Sequence, residues 1–144
     1  MKITINKGSI DDAVYVQGLI PEFVDAYPKE EYFKRLTDNT SLILIATENE
    51  SPVGFKVGYA LDHTTFYSWM GGIIPTFRKQ SVAQKLAQHQ EEWARANGFE
   101  RIRFKTRNYL KPMLIFALKN GFQIIEVNHH KKVNDHRIIL EKQL

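Results

Sequence analysis

The clearest chemical signal in the sequence is a pair of adjacent cations, Arg78 and Lys79, at the start of a predicted helix. They follow Pro75, which has no backbone N–H to donate and therefore ends the apolar run 69–74. The first N–H groups of a helix have no partner within it, and its N-terminus carries about half a positive charge. This combination favours an anion, and pyrophosphate is the natural ligand.

The helix that follows is amphipathic and ends at Gly98. Its start resembles the Arg/Gln-x-x-Gly-x-Gly/Ala segment that binds acyl-CoA in the GNAT N-acetyltransferase superfamily. Ser81 stands where that family prefers glycine, so a backbone position expected to approach phosphate closely carries a small side chain. The six matching positions read Arg78, Lys79, Gln80, Ser81, Val82 and Ala83.

A later stretch resembles a second block of the same family, in which a strand ends near an asparagine and a short helix closes with Gly-Phe. Here Asn108 follows the predicted strand, and Gly121 and Phe122 follow the predicted helix. With both blocks in this order, the resemblance covers nearly the whole chain and implies a GNAT-like fold.

The resemblance also implies a set of site residues. The six residues 78–83 would hold the pyrophosphate of acetyl-CoA mostly through their backbone, and Ile73 and Ile74 would pair with the pantetheine arm. Backbone N–H groups near residues 72–74 would polarise the thioester carbonyl. Asn108 would hydrogen-bond the pantetheine or an ordered water, and a plain strand-end cap is the alternative.

The usual catalytic acid of the family is missing, because its tyrosine position is occupied by Ala117. Tyr109 is a candidate to replace this tyrosine as the acid. The alternative is that Tyr109 is an ordinary loop residue, either exposed or packed. A thiol with a pKa near about 8.5 can leave as thiolate, so transfer would be slower or differently assisted rather than abolished. The fourth strand offers no carboxylate base, and the nearest titratable groups are Asp62 and His63. A water relay and a weakly basic amine acceptor are therefore favoured.

The composition is that of one globular domain. The chain has 144 residues, of which 43% are hydrophobic, enough for one core spanning residues 1–144. No run approaches the roughly 18 apolar residues of a membrane helix, and no signal-peptide core precedes the first strand. The absence of cysteine fits a reducing compartment, and we expect a cytoplasmic protein without membrane partners.

The net charge of +4 and the isoelectric point near 9.3 admit an anionic partner. Binding of CoA needs only a few cations at one helix start, so it explains Arg78 and Lys79 more economically than a track along a nucleic-acid backbone would. We therefore expect no nucleic-acid partner. An RNA-associated protein is kept as a third hypothesis, after the two given below. The histidines lack the spacing of a zinc site, and we expect no metal.

The hydrophobic pattern predicts an α/β fold with a mixed sheet and helices on both faces, in the order β-α-α-β-β-β-α-β-α-β-β. Adjacent glycines, Gly71 and Gly72, indicate a bulge or a close approach of another backbone in the fourth strand. The resemblance implies that this strand parts from its parallel neighbour and that the gap admits the pantetheine arm. A second amphipathic stretch, 22–36, would cover the acceptor pocket.

The leading hypothesis is an acetyl-CoA-dependent N-acetyltransferase that acts on a primary amine of a small molecule or peptide by direct attack in a ternary complex. The alternative is a module of the same fold that binds CoA or acyl-CoA without turnover. Its basis is the serine at position 81, the alanine at position 117 and the missing carboxylate base. A homodimer is compatible with either hypothesis.

Overall fold

The computed structural model describes residues 2–78 and 81–144. Within these residues, the strands and helices follow one another in the predicted order, and the predicted α/β class with a mixed sheet is confirmed. The strands are β1 (Ile3–Lys7), β2 (Ser41–Glu48), β3 (Ser51–Ala60), β4 (Thr65–Ile73), β5 (Arg101–Arg107), β6 (Gln123–Asn128) and β7 (Arg137–Gln143). The helices are α1 (Ile10–Gly18), α2 (Lys29–Leu36), α3 (Val82–Ala96) and α4 (Lys111–Lys119).

All seven strands form one sheet in the spatial order β1-β2-β3-β4-β5-β7-β6. Neighbouring strands are antiparallel except β4 and β5, which are parallel. The long helix α3 connects these two strands, because a parallel pair needs a crossover rather than a hairpin. The β4–β5 pair is therefore the one parallel pair among the described strands.

The strand β2 shows how the sheet is covered on both faces. Leu42 and Leu44 pack in the cluster that contains Leu86 of α3, whereas Ile45 packs in the cluster that contains Val16 of α1. Consecutive residues of a strand point to opposite faces, so a continuous apolar run serves both layers. Helix α4 covers β5 and β7 on the α3 side, through a third cluster that contains Phe104 and Leu140.

The prediction for residues 22–36 was only partly right, because α2 occupies just Lys29–Leu36. Pro28 is extended at the N-cap and disfavours the helical conformation in the residue before it. The segment 19–28 is instead fixed by Gln17, whose side-chain amide donates to the Tyr27 carbonyl at 3.0 Å. The buried Tyr32 hydroxyl donates to the same Gln17 side chain at 2.7 Å and ties α2 to α1.

The bulge in β4 lies before the glycine pair rather than at it. Val57 of β3 faces Met70, whereas Gly58 faces Ser68, so Trp69 is the extra residue. A Cβ on Gly71 would lie 3.2 Å from the Phe55 carbonyl oxygen, and one on Gly72 would lie 2.8 Å from the Ile20 side chain. The glycines thus serve the close approach, and the adjacent bulge raises the local twist.

The far edge of the sheet is unusual, because β6 is exposed along its whole length and pairs only with β7. It carries three exposed apolar side chains, Ile124, Ile125 and Val127. Such an edge is able to accept another strand. The homodimer stays a prediction.

Candidate active site

The candidate site begins where β4 and β5 part. Their parallel pairing runs only from Thr65 to Tyr67 on β4, whose last partner is Arg103, while β5 continues to Arg107 alongside β7. The rest of β4 therefore has a neighbour, β3, on one edge only. The predicted gap between these two strands is present.

The backbone of β4 directs specific groups into this gap. The Ile74 N–H donates to the Val53 carbonyl at 2.9 Å, so the predicted free amide at Ile74 is wrong. In an antiparallel pair the bonded residues alternate, so Gly72 also faces β3 and the N–H groups of Gly71 and Ile73 point into the gap. The Ile73 carbonyl points there as well and accepts the Arg78 Nε–H at 3.0 Å.

The start of α3 places the first backbone N–H groups of the helix after β4, without a side-chain cap from Ser81. The first bond of the helix runs from the Lys85 N–H to the Ser81 carbonyl at 3.0 Å, and the Ser81 side chain caps nothing. The N–H groups of residues 82–84 therefore have no acceptor within the helix. Val82 is buried in the core and Ala83 is apolar, so both offer only backbone to an anion. The predicted residues Lys79 and Gln80 lie outside the described part of the chain.

Ser81 adopts a backbone conformation suited to glycine, with φ of +66°. In the sequence, Ser81 is also the residue that differs from the glycine of the acyl-CoA-binding motif. Left-handed backbone costs an L-residue roughly 1–2 kcal/mol. The chain thus has a serine in a conformation that favours glycine.

Arg78 is held by an ion pair across the mouth of the gap. Its Nη1 and Nη2 donate to the two carboxylate oxygens of Glu22 at 2.6 and 2.9 Å. The guanidinium lowers the pKa of Glu22, and the carboxylate in turn raises the pKa of Arg78. Both side chains are largely exposed, so the pair is screened by water and is readily exchanged for another anion.

The predicted catalytic residues Asn108 and Tyr109 lie just after β5. The Asn108 amide donates to the Val133 carbonyl at 3.2 Å, and its oxygen accepts from the Lys111 ammonium at 3.1 Å. This is the geometry of the strand-end cap that the sequence left open. Tyr109 is 53% exposed, and its backbone N–H bonds to Asn134. The position of the missing acid, Ala117, is buried against Phe104 in the third cluster.

Two buried polar atoms that sequence reasoning missed lie on the α3 side of the sheet. Within the described chain, Gln90 Nε2 and Thr106 Oγ1 are the buried side-chain atoms without a hydrogen-bond partner. Gln90 belongs to the sheet-facing stripe of α3, and Thr106 lies on β5 beyond Arg103, where β4 has already departed. Unpaired buried polar groups are uncommon and costly in proteins. The position of Thr106, beyond the paired part of β4, fits a polar ligand that enters the gap.

The same side of the sheet carries a buried charge cluster. Lys56 faces Gly71 across β3 and β4, and burial lowers its pKa to about 8, while the charge of Glu91 opposes the shift. Glu91 also accepts from the Lys142 ammonium at 2.7 Å. On the α3 side of the sheet, the two cations Lys56 and Lys142 therefore accompany one carboxylate, Glu91.

On the opposite face, the α2 side, a cavity of about 380 Å³ lies over the point where the strands part. It is concave and mixed in character, as small-molecule sites are. Tyr59 and Tyr67 form an aromatic wall with ring centroids 5.5 Å apart. The cavity is lined by Arg35, Tyr59, Leu61, Tyr67, Arg103, Lys105, Ile125, Glu126 and Ile139.

Two titratable groups near the turn between β3 and β4, Tyr67 and Asp62, are not suited to act as the base. Burial raises the pKa of Tyr67, which therefore remains a neutral phenol at physiological pH. The carboxylate of Asp62 accepts from the backbone N–H groups of Thr64 and Thr65, both at 2.8 Å, and these bonds lower its pKa. Asp62 thus serves the turn between β3 and β4, as a cap does.

Residues 2–78 and 81–144 contain no group of three metal-ligating side chains placed to hold an ion. Among the same residues, no helix has the length and apolar character needed to cross a bilayer.

Comparison with known families identifies one match. The model of the acetyltransferase (GNAT) family matches residues 14–122. Comparison with curated protein sequences gives no match.

Solved structures share the fold over nearly their whole length. A GNAT family acetyltransferase from Elizabethkingia anophelis with acetyl-CoA bound is 18% identical, with a TM-score of 0.79 over 99% of this chain and 98% of that one. The ribosomal-protein-S18-alanine N-acetyltransferase from Escherichia coli is 12% identical, with a TM-score of 0.82 over 99% and 94%. The PaiA N-acetyltransferase from Thermoplasma acidophilum in complex with coenzyme A is 19% identical, with a TM-score of 0.76 over the full length of both chains.

The positive φ of Ser81 gives a stability prediction. Ser81→Gly should raise the free energy of unfolding by about 0.5–1 kcal/mol, because glycine adopts this conformation without strain but loses more entropy on folding. Ser81→Val should lower it by about 1 kcal/mol or more, since a β-branched residue tolerates this region poorly. Urea unfolding measures both, and Ser51→Gly in extended strand is the control that should destabilise. An unfolding free energy that falls for Ser81→Gly would contradict the strained geometry.

Proposed function

Because the chain belongs to the GNAT acetyltransferase family, we propose that it is an acetyl-CoA-dependent N-acetyltransferase. The acetyl group would pass to a primary amine of a small molecule or peptide by direct attack in a ternary complex. The observation that carries the proposal is the free edge of β4 beside the bare start of α3, with the α2-side cavity over the opposite face of the gap. This arrangement offers separate entrances to a phosphate-bearing thioester and to an amine.

The residues at the start of α3 fit a pyrophosphate. The free N–H groups of residues 82–84 would bind its oxygens, and the positive end of the helix would favour its charge. Arg78 would add a charge-assisted bond by exchanging Glu22 for phosphate. We assign Lys79, Gln80 and Ser81 to the binding of the same pyrophosphate, as the sequence motif implies.

The free edge of β4 fits the amide-bearing arm that links the pyrophosphate to the sulfur. The N–H groups of Gly71 and Ile73 would pair with it as a further strand would. Thr106 and Gln90 would supply their unpaired polar atoms to it from β5 and α3. Asn108 is already bonded within the chain, so its assigned contact requires exchange of the Lys111 or Val133 bond.

Acetyl transfer forms a C–N bond to the amine and breaks the C–S bond, so the thioester oxygen gains negative charge and the sulfur leaves as thiolate. Backbone N–H groups that point into the gap, such as that of Gly71, would stabilise this oxygen, and one such donor is worth about 10²–10³ in rate. The proton of the amine would leave through water, because Asp62 is committed to its turn. Tyr109 is the proposed acid toward the thiolate.

The same observations support a second candidate, a module that binds CoA or acyl-CoA without turnover. Its specific support is the buried alanine at position 117 in place of a hydroxyl, together with the bonded state of Asp62 and Asn108. We assign the protein to the cytoplasm, whether it is the enzyme or the binding module. A homodimer through the exposed β6 edge is compatible with both functions.

The test of turnover is release of free CoA thiol from acetyl-CoA with a panel of amines, including amino acids, N-terminal peptides and polyamines. Sustained thiol release that depends on the amine supports the enzyme. Tight binding of acetyl-CoA without thiol release supports the binding module instead.

The Arg78–Glu22 pair gives a prediction of opposite sign for its two members. Arg78→Glu should weaken acetyl-CoA binding by about tenfold or more, because it replaces attraction to phosphate with repulsion. Glu22→Gln should strengthen binding by about two- to fivefold, because Arg78 no longer has to leave a carboxylate. Calorimetric titration measures both, with Glu30→Gln on exposed α2 surface as the matched control. Absence of acetyl-CoA binding by the native protein at millimolar ligand would refute the proposed site.

The unpaired hydroxyl of Thr106 gives a prediction that separates binding from folding. Thr106→Val keeps the volume but removes the polar atom, so the ligand-free protein should be as stable as the native one or more stable. Acetyl-CoA affinity should fall by about three- to tenfold, measured by calorimetry alongside thermal unfolding. Thr64→Val is a poor control because that hydroxyl bonds Asp62, whereas the exposed Thr4→Val is suitable. Unchanged affinity would remove Thr106 from the proposed site.

A further inference from the structure

The face of β5 toward α2 carries four alternate cations. Arg101, Arg103, Lys105 and Arg107 share this face, because their side chains are two residues apart along the strand. The intervening Ile102, Phe104 and Thr106 are buried on the other face. Such regular alternation of basic and buried residues places a row of positive charge along one side of the gap.

Only part of this charge is neutralised within the described residues. Glu141 of β7 accepts from Arg103 at 2.8 and 3.0 Å and lies 3.8 Å from Arg101. Arg35, on the other side of the cavity, pairs with Glu31 at 2.9 Å. Arg35 therefore has a carboxylate of its own, whereas Arg103 shares Glu141 with Arg101, which also lies 3.9 Å from Glu100.

Lys105 makes no ion pair among the described residues. Its ammonium lies 5.7 Å from the centre of the Tyr67 ring, which is a weak attraction at an exposed position. The cross-strand partner of Lys105 on β7 is Ile139, which offers no charge. Among the described residues that line the cavity, the one carboxylate is Glu126, on β6 and without an ion pair. The described lining thus carries three cations, Arg35, Arg103 and Lys105, against one carboxylate, and Lys105 is the cation among them without an ion pair.

The position of Lys105 relative to the gap gives this charge a role. Arg103 is the last residue of β5 that pairs with β4, and Lys105 is the next residue on the same face. Tyr67, the last paired residue of β4, is the cross-strand partner of Arg103. A group bound at Lys105 lies at the edge of the opening, within the length of a small molecule from the backbone N–H groups of β4.

We propose that the acceptor of this protein is an amine that also carries a carboxylate, and that Lys105, with Arg103 beside it, binds that carboxylate in the α2-side cavity. This inference rests on the proposed function and adds the substrate class. The aromatic wall of Tyr59 and Tyr67 packs against the apolar part of the acceptor, while the amine faces the gap. The binding group and the reacting group of the acceptor are thereby separated.

The same cations favour the reactive form of the amine. Nearby positive charge disfavours an ammonium and lowers its pKa, so a larger fraction of the acceptor is neutral at physiological pH. This effect supplies part of what a carboxylate base supplies in other sites. It suits a site whose nearest candidate base, Asp62, is bonded to its own turn.

A concave cavity with an aromatic wall favours a compact carboxylate over a long polyanion. A nucleic acid would instead require an extended basic track and a steep dependence of affinity on salt. Arg107 is turned away from such a track, because its guanidinium bonds to the Asp135 carbonyl at 2.9 Å and lies 3.3 Å from His130.

The test measures binding of matched ligands to the full-length protein saturated with CoA, so it does not depend on turnover. The ligands are a panel of α-amino acids, each paired with its carboxamide, and dipeptide amides that begin with aspartate or asparagine. The first set tests the main-chain carboxylate and the second tests a side-chain carboxylate. Calorimetry is run on the native protein, on Lys105→Gln and on Lys119→Gln, which removes an exposed cation from α4 on the other side of the sheet.

In at least one of the two sets, we expect the acid to bind about tenfold more tightly than its neutral partner. Lys105→Gln should remove most of that preference while leaving the neutral partner's affinity within about twofold, and Lys119→Gln should preserve it. This result supports the inference even if no thiol is released, in which case only the proposed turnover fails. Equal binding of acids and amides, no binding of any acid, or stronger salt-sensitive binding of a short single-stranded RNA would overturn it.

Discussion

The structure depends on strand β4, which does not stay paired with both of its neighbours along its whole length. β4 pairs with β3 over nearly its whole length, but with β5 only as far as Tyr67. Beyond that residue, N–H and C=O groups that would normally be bonded inside a sheet point into open space. An unpaired buried backbone group costs roughly 1–3 kcal/mol. The bulge at Trp69 is where the course of β4 changes, and Trp69 is held there by Tyr27 and Tyr32, with ring centroids at 5.1 and 4.8 Å.

Around this opening, the two faces of the sheet have different chemistry. The α3 side combines the N-terminus of a helix with the unpaired atoms of Gln90 and Thr106, which suit a long ligand rich in polar groups. The α2 side combines tyrosine rings with the unneutralised Lys105, which suits a short ligand with an apolar body and an acid group. The gap between β4 and β5 thus connects two faces of the sheet that differ in their binding chemistry.

The sequence predicted the fold well because each element carried its own signal. Alternating or continuous apolar runs gave the strands, and Pro75 and Gly98 bounded the long helix. The error in α2 arose where Pro28 interrupts a stretch whose aromatic spacing is helical, and where the hydrogen bonds of the distant Gln17 decide the path. Local propensity does not include such tertiary contacts.

The site was less accessible to sequence reasoning. The motif predicted a helix start near residue 82, where α3 begins, and the positive φ of Ser81 became visible only in the structure. The direction of the Ile74 amide depends on which edge faces β3, which only the register reveals. The alternation of basic residues from Arg101 to Arg107 was visible in the sequence, but its meaning required knowing that Glu141 lies opposite Arg103 and Ile139 opposite Lys105.

The ion pair between Glu22 and Arg78 joins two parts of the chain with separate tasks. Glu22 belongs to the segment before α2, and Arg78 belongs to the loop before α3. Any anion that takes Arg78 breaks its ion pair with this segment, so binding at Arg78 and the position of Glu22 are thermodynamically coupled. Such coupling is reciprocal by necessity. A higher ionic strength weakens this coupling, because it screens the exposed pair.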